Sequence, residues 1–169
     1  MTGYQPFMSD IAVLVVDMLN AYRHEDAELL APNVADIIDP MVGIISCAQE
    51  HDDVDLIYVN DNYGDFTADH DHIVRSALEG EHPDLVKPIV PPHGCMFLEK
   101  VRHSAFYSTA LGYLLGRFAT KRVIITGQVT EQCISLQCAG RLHPPFLPRR
   151  AARRGRAHRH RFGQGGAEE

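Results

Sequence analysis

The chain has 169 residues and a net charge of −6, enough for one domain with a core of its own. Its first 140 residues hold eight Lys and Arg against twenty Asp and Glu, whereas its last 29 hold eight Arg against two Glu, so the body has no basic surface for nucleic acid. No apolar run reaches the ~18 residues of a membrane span, and the start, MTGYQPFMSD, has no basic and apolar signal segment, so a cytoplasmic protein is expected.

The run IAVLVVD (11–17) is apolar, rich in β-branched residues and ended by an acid. It reads as a strand buried on both faces of a parallel sheet. Residues 32–50 place Val34, Ile37, Ile38, Met41, Ile44 and Ile45 at helical spacing, with Pro40 expected to kink or split the helix. DLIYVND (55–61) repeats the strand pattern and again ends in an acid. GDFTADHDHIVRSAL starts as a loop and becomes a short helix. Residues 81–95, with Pro83, Pro88, Pro91 and Pro92, read as a loop. MFLEK (96–100) is a third strand, and 108–119 an amphipathic helix capped by Ser or Thr. RVIITG (122–127) is a fourth strand, followed by a helix beginning near TEQCISLQCAG. This alternation predicts a three-layer α-β-α domain with a mostly parallel, Rossmann-like sheet. In such sheets the site lies beyond the carboxyl ends of the strands.

Three of those ends hold Asp17, Lys100 and the turn before Cys133. In a reducing compartment the four cysteines, Cys47, Cys95, Cys133 and Cys138, are expected as free thiols. Cys133 falls about one turn into its helix, where the dipole and free N–H groups favour a thiolate and can hold an oxyanion. Asp17 can take the thiol proton, and Lys100 can hold Asp17 and stabilise developing charge. Each residue also has a plainer reading: a packed small thiol, a turn-forming acid and a solvated lysine. Together at one edge of one sheet, the three point to catalysis.

The motifs LVVDMLNAY, KVRHSAFY and TGQVTEQCI occur in the order of an Asp-Lys-Cys triad. Over roughly residues 9–134 the chain resembles the isochorismatase-like cysteine hydrolases, the superfamily of nicotinamidase and N-carbamoylsarcosine amidase. The resemblance implies Cys133 as nucleophile, Asp17 as base and Lys100 as electrostatic partner. It implies an oxyanion hole from the backbone N–H groups of Val129 and Cys133, with a cis bond before Val129. It implies cleavage of a small amide-type C–N bond by a cysteine-dependent, amidase-like hydrolase, since isochorismatases proper typically lack this cysteine. It also implies a homo-oligomer, a dimer or tetramer, acting on a small molecule without nucleic acid or membrane. Asn20, Tyr22, Asn60, Asp61 and Tyr63 are expected to shape the pocket, and Phe66, Phe106 and Tyr107 to line it, with core packing the alternative for the aromatics. No cofactor is expected. No metal is expected either, because the spacing of His70 and His72 from Asp61 does not match the nicotinamidase Asp-x-His site, and a solvated loop accounts for these histidines.

After Ile134 the resemblance stops, which divides the chain into a hydrolase domain, 1–134, and an aberrant basic tail, 135–169. The tail, SLQCAGRLHPPFLPRRAARRGRAHRHRFGQGGAEE, has no apolar periodicity past Leu142 and reads as disordered or irregular. Read one nucleotide further on, codons for SLQCAGRLHPPF can spell LYSALDAYIRHF, and those for RRGRAHRHRFGQGGAEE can spell DAVAHIDTDSGKAALR. These are the helix and strand segments with which the family continues, in order. The tail is therefore read as a frameshift product, so the sheet is expected to lack its C-terminal strand and helix. The alternatives are a genuine basic tail or nucleic-acid arm, and, for the chain as a whole, an inactive family member acting at most as a binding module. Resequencing the gene across the codons for Cys133 to Gly140 is expected to show one extra nucleotide; an unchanged reading frame refutes the frameshift.

Overall fold

The computed structural model describes residues 9–101 and 104–128. Its strands are β1 (Ile11–Val16), β2 (Val54–Asp61), β3 (Met96–Lys100) and β4 (Arg122–Gly127). They form one sheet of order β3-β2-β1-β4 in which every pair is parallel. The helices are α1 (Ala27–Glu50), α2 (His70–Leu78), α3 (Pro83–Val86) and α4 (Leu111–Arg117).

The apolar run of β1 is explained by burial on both faces. Val13 and Val15 join one core with α1, α2 and α3, through Val34, Ile38, Met41, Ile73, Leu85 and Val86. Ala12, Leu14 and Val16 join the opposite core with Leu111 and Leu115 of α4. The α/β three-layer expectation holds for the described residues.

Helix α1 begins five residues before the expected start and passes both Pro32 and Pro40 without a break. Its buried residues, Ala27, Ala31, Val34, Ile38, Met41, Ile45 and Ala48, form one stripe. The two prolines are exposed on the other side. A helical proline leaves the carbonyl four residues earlier without its donor. Those carbonyls belong to Glu28 and Asp36, both exposed, where water can serve them. By length and mean composition α1 passes the test for a membrane span, although Asn33, Asp36 and Asp39 interrupt its apolar residues. In the fold its stripe packs on the sheet.

Two other expectations are corrected. Residues 81–95 are not a plain loop: Pro83 starts α3 and a 3-10 turn follows at Lys87–Ile89. Proline is preorganised for a first helical turn, and Leu85, Val86 and Ile89 are buried. Helix α4 begins at Leu111, not Ser108, because Ser108 lies in the left-handed region at φ 56.

The chain runs β1, β2, β3 in one direction across the sheet, then returns to place β4 on the far side of β1. The order therefore reverses between β1 and β4, the position at which open α/β sheets form a crevice at their carboxyl edge. Gly127 closes β4 there with φ 155. A Cβ at this position would lie 2.1 Å from the carbonyl oxygen of Val16. Gly127→Ala must therefore separate β4 from β1 or strain both. It is expected to lower the unfolding free energy by about 3 kcal/mol, read as a fall in the urea midpoint.

Candidate active site

The registers align the strand ends. Val16 faces Val59 and Gly127, and Asp61 faces Lys100. Asp17, one residue past β1, thus comes beside the last residues of β2 and β4. Its N–H still donates to the Val59 carbonyl at 3.0 Å.

Lys100 and Asp17 form a buried ion pair, Nζ to Oδ1 at 2.9 Å, with side chains 2% and 10% exposed. Asp61 is a second carboxylate on the same ammonium, Nζ to Oδ2 at 3.4 Å. The backbone N–H of Asp61 also donates to Asp17 Oδ1 at 3.1 Å. Oδ1 is therefore served twice. Oδ2 of Asp17 is buried and has no hydrogen-bond partner among the described residues. A buried carboxylate oxygen without a donor is costly, and it is the atom free to accept a proton.

The backbone around this pair is strained. Asp17, Tyr22 and Tyr63 all lie in the left-handed region, at φ 55, 53 and 53. Such conformations cost about 1–3 kcal/mol each in a non-glycine residue and persist where surrounding contacts enforce them. The enforcing contacts are visible. Asn60 is buried and clamps the segment after β1, accepting from Leu19 N–H at 3.0 Å and donating to the Leu19 carbonyl at 3.1 Å. Tyr63 hydroxyl donates to the same carbonyl at 2.9 Å. Burial of that hydroxyl, then the nearby charge of Asp17, pushes the phenol pKa well above its usual value. Asn20 Oδ1 accepts from Tyr22 N–H at 2.7 Å.

The structure thus gathers Asp17, Asn20, Tyr22, Asn60, Asp61, Tyr63 and Lys100 at one edge. Phe66 and Tyr107 are exposed, while Phe106 packs partly against the α4-side core. His70 and His72 lie on the first turn of α2, not in a loop. His70 stacks on Phe97 at 4.5 Å between ring centres. Val129 and Cys133, the bond before Val129 and the expected helix after it lie outside the described residues, as do Arg102, His103 and the basic tail.

Two residues were given no role from sequence. Gln128 is buried at the end of β4 and donates through Nε2 to the Asp17 carbonyl. Asn62 is buried, and its N–H donates to the Lys100 carbonyl at 3.2 Å, tying the loop after β2 to the end of β3. The available signal was a polar residue directly following a strand run, β2 for Asn62 and β4 for Gln128.

Removing Lys100 leaves two carboxylates facing each other with no cation. Lys100→Met is expected to lower the unfolding free energy by about 3–5 kcal/mol, and adding Asp17→Asn is expected to recover part of the loss. Urea denaturation of both single variants and the double checks this. Strictly additive losses contradict the coupling.

The isochorismatase domain model matches residues 11–142. An uncharacterized isochorismatase family protein of Bacillus subtilis, YaaI, is 33% identical over 126 residues, which is 75% of this chain and 69% of that protein. Maleamate amidohydrolase of Pseudomonas putida is 24% identical over 131 residues, 73% of this chain and 61% of that enzyme, so the chain spans less than two thirds of that relative. The crystal structure of an isochorismatase-like hydrolase from Alkaliphilus metalliredigens superposes with a TM-score of 0.59 at 25% identity, covering 78% of this chain and 72% of the other. With its parallel sheet and the acid and lysine at the carboxyl edge, the chain belongs to the isochorismatase family of hydrolases.

Proposed function

We propose that the chain hydrolyses a small amide or related C–N bond through a Cys133 thiolate, with Asp17 as base and Lys100 as its electrostatic partner. The observation that carries this reading is the buried Asp17–Lys100 pair at the switch point, with Asp17 Oδ2 unengaged among the described residues. The similarity to maleamate amidohydrolase supports an amide as the bond cleaved.

The chemistry balances in two half-reactions. Asp17 Oδ2 accepts the Cys133 thiol proton as sulfur attacks the carbonyl carbon. The resulting oxyanion is held by the N–H groups of Val129 and Cys133. On collapse the C–N bond breaks, and the amine leaves with the proton from Asp17. Water, deprotonated by the same carboxylate, then attacks the thioester. The acid product leaves and the thiol is restored. Lys100 holds Asp17 in place through the 2.9 Å ion pair and offsets the negative charge of Asp61. No cofactor or metal enters this sequence.

A second reading, an inactive family member that serves at most as a binding module, is favoured by one observation. Among the described residues β4 pairs only with β1, and Ile124 on it is 42% exposed. A strand edge of this kind, where it stays unpaired in the full chain, invites association, which a binding module and a homo-oligomer share.

The two readings separate on thiol reactivity. Cys47 is exposed and serves as the reference. Cys95 is expected to react slowly, because burial pushes its thiol up to about 11. Under the hydrolase reading iodoacetamide modifies Cys133 at least ~10-fold faster than Cys47, and Cys133→Ala abolishes turnover while keeping the circular dichroism of the parent. Equal slow rates, or an active alanine variant, overturn it.

A further inference from the structure

We infer that Gln128 is a positioning residue for this site, tying the acid Asp17 to the end of β4, five residues before Cys133, and that Tyr22 sets the direction in which its amide acts. The inference rests on the cysteine-hydrolase reading above.

Asp17 is held on both sides of its backbone. Its N–H donates to the Val59 carbonyl of β2 at 3.0 Å. Its own carbonyl accepts from Gln128 Nε2, at the end of β4. The first bond constrains the orientation of the peptide before Asp17, and the second that of the peptide after it. Together they hold the left-handed conformation at φ 55, which a non-glycine residue does not keep unaided. With the backbone set, the carboxylate direction follows. Oδ1 goes to Lys100 and Asp61 N–H, and Oδ2 is left over.

An amide has a donor end and an acceptor end, and only the donor end can serve a carbonyl. The Tyr22 hydroxyl lies 3.3 Å from Gln128 Oε1 and donates to it. This fills the acceptor end and leaves Nε2 facing Asp17. Tyr22 keeps its proton: burial, then the charge of Asp84, pushes its hydroxyl up to about 12. Tyr22 and Gln128 are 1% and 4% exposed, so water does not compete for these bonds. Gln128 directly follows Gly127, whose close approach to Val16 fixes the end of β4. Cys133 comes five residues later. One side chain therefore links the acid to the start of the segment bearing the nucleophile.

The titratable groups facing Asp17 are Lys100 from β3, Asp61 from β2 and the Tyr63 hydroxyl from the loop after β2, while the Tyr22 hydroxyl meets Gln128. Gln128→Leu removes none of them, so a change in the Cys133 pH profile reports position and not a deleted charge. The test measures iodoacetamide modification of Cys133 across a pH series in the full chain, with Cys47 as internal reference. Gln128→Leu is expected to slow Cys133 ~10-fold at neutral pH and move its midpoint to higher pH, the effect of losing one buried hydrogen bond. Tyr22→Phe is expected to slow it in the same direction by ~3-fold, because the amide is then free to turn. The double variant is expected to match Gln128→Leu alone, since Tyr22 acts only through Gln128. If Gln128→Leu does not fold, Tyr22→Phe decides: a slower Cys133 with Cys47 unchanged supports the inference, and an unchanged Cys133 overturns it. Fast Cys133 modification in the parent and in Gln128→Leu alike overturns this inference and leaves the hydrolase reading intact. If Cys133 in the parent reacts no faster than Cys47, both fail.

Discussion

The buried contact between Lys100 and Asp17 is the constraint around which the carboxyl edge of the sheet is arranged. At 2.9 Å and an effective dielectric of about 20, the attraction is on the order of 5 kcal/mol. Desolvating each ion costs several kcal/mol. The pair comes close to break-even, so stability alone does not explain a lysine that is 2% exposed at the end of a strand. Its neighbours complete the case. Asp61 supplies a second carboxylate and a backbone donor, and Asn62 ties its loop to the Lys100 carbonyl. These contacts set where the charge sits and which oxygen of Asp17 remains free.

That arrangement depends on the sheet. Lys100 belongs to β3 and Asp17 follows β1, and β2 lies between them. A long lysine side chain must cross the width of β2 to reach the acid, and Asp61 at the end of β2 meets it on the way. The reversal of strand order then brings β4 to the other side of Asp17. Gly127 is the residue that allows this approach, because any side chain there would collide with the Val16 carbonyl. Packing on both faces of β1 makes the sheet rigid enough to hold such distances.

Strain is concentrated at the same edge. Three of the five non-glycine residues with positive φ among those described are Asp17, Tyr22 and Tyr63. Each is held by a specific bond: Gln128 to the Asp17 carbonyl, Asn20 to the Tyr22 N–H, and Asp61 Oδ1 to the Tyr63 N–H at 2.8 Å. Polar side chains that look like loop composition in the sequence are therefore the restraints that keep the acid in an otherwise unfavourable conformation.

The strands and the acid and lysine at their ends were legible in the sequence, because buried parallel strands are short apolar runs with abrupt polar ends. The three ordered motifs made the family legible as well. The prolines of α1 misled, since their cost depends on which face they occupy, and a linear pattern does not show that the carbonyls they leave unpaired face water. The loop at 81–95 misled because proline density signals turns and helix starts alike. His70 and His72 were read as loop residues because their helix is capped by Asp69, whose side chain accepts from His72 N–H, a local bond that composition does not reveal. What the sequence by itself determined is the alternation of elements and the chemical identity of the groups at the strand ends. Only the tertiary structure decided that Asp61 shares Lys100, that one oxygen of Asp17 is left free, and that Gln128 reaches back to Asp17. Those facts depend on strand order and register, which bring together residues 39 to 111 positions apart, and no local propensity encodes such distances.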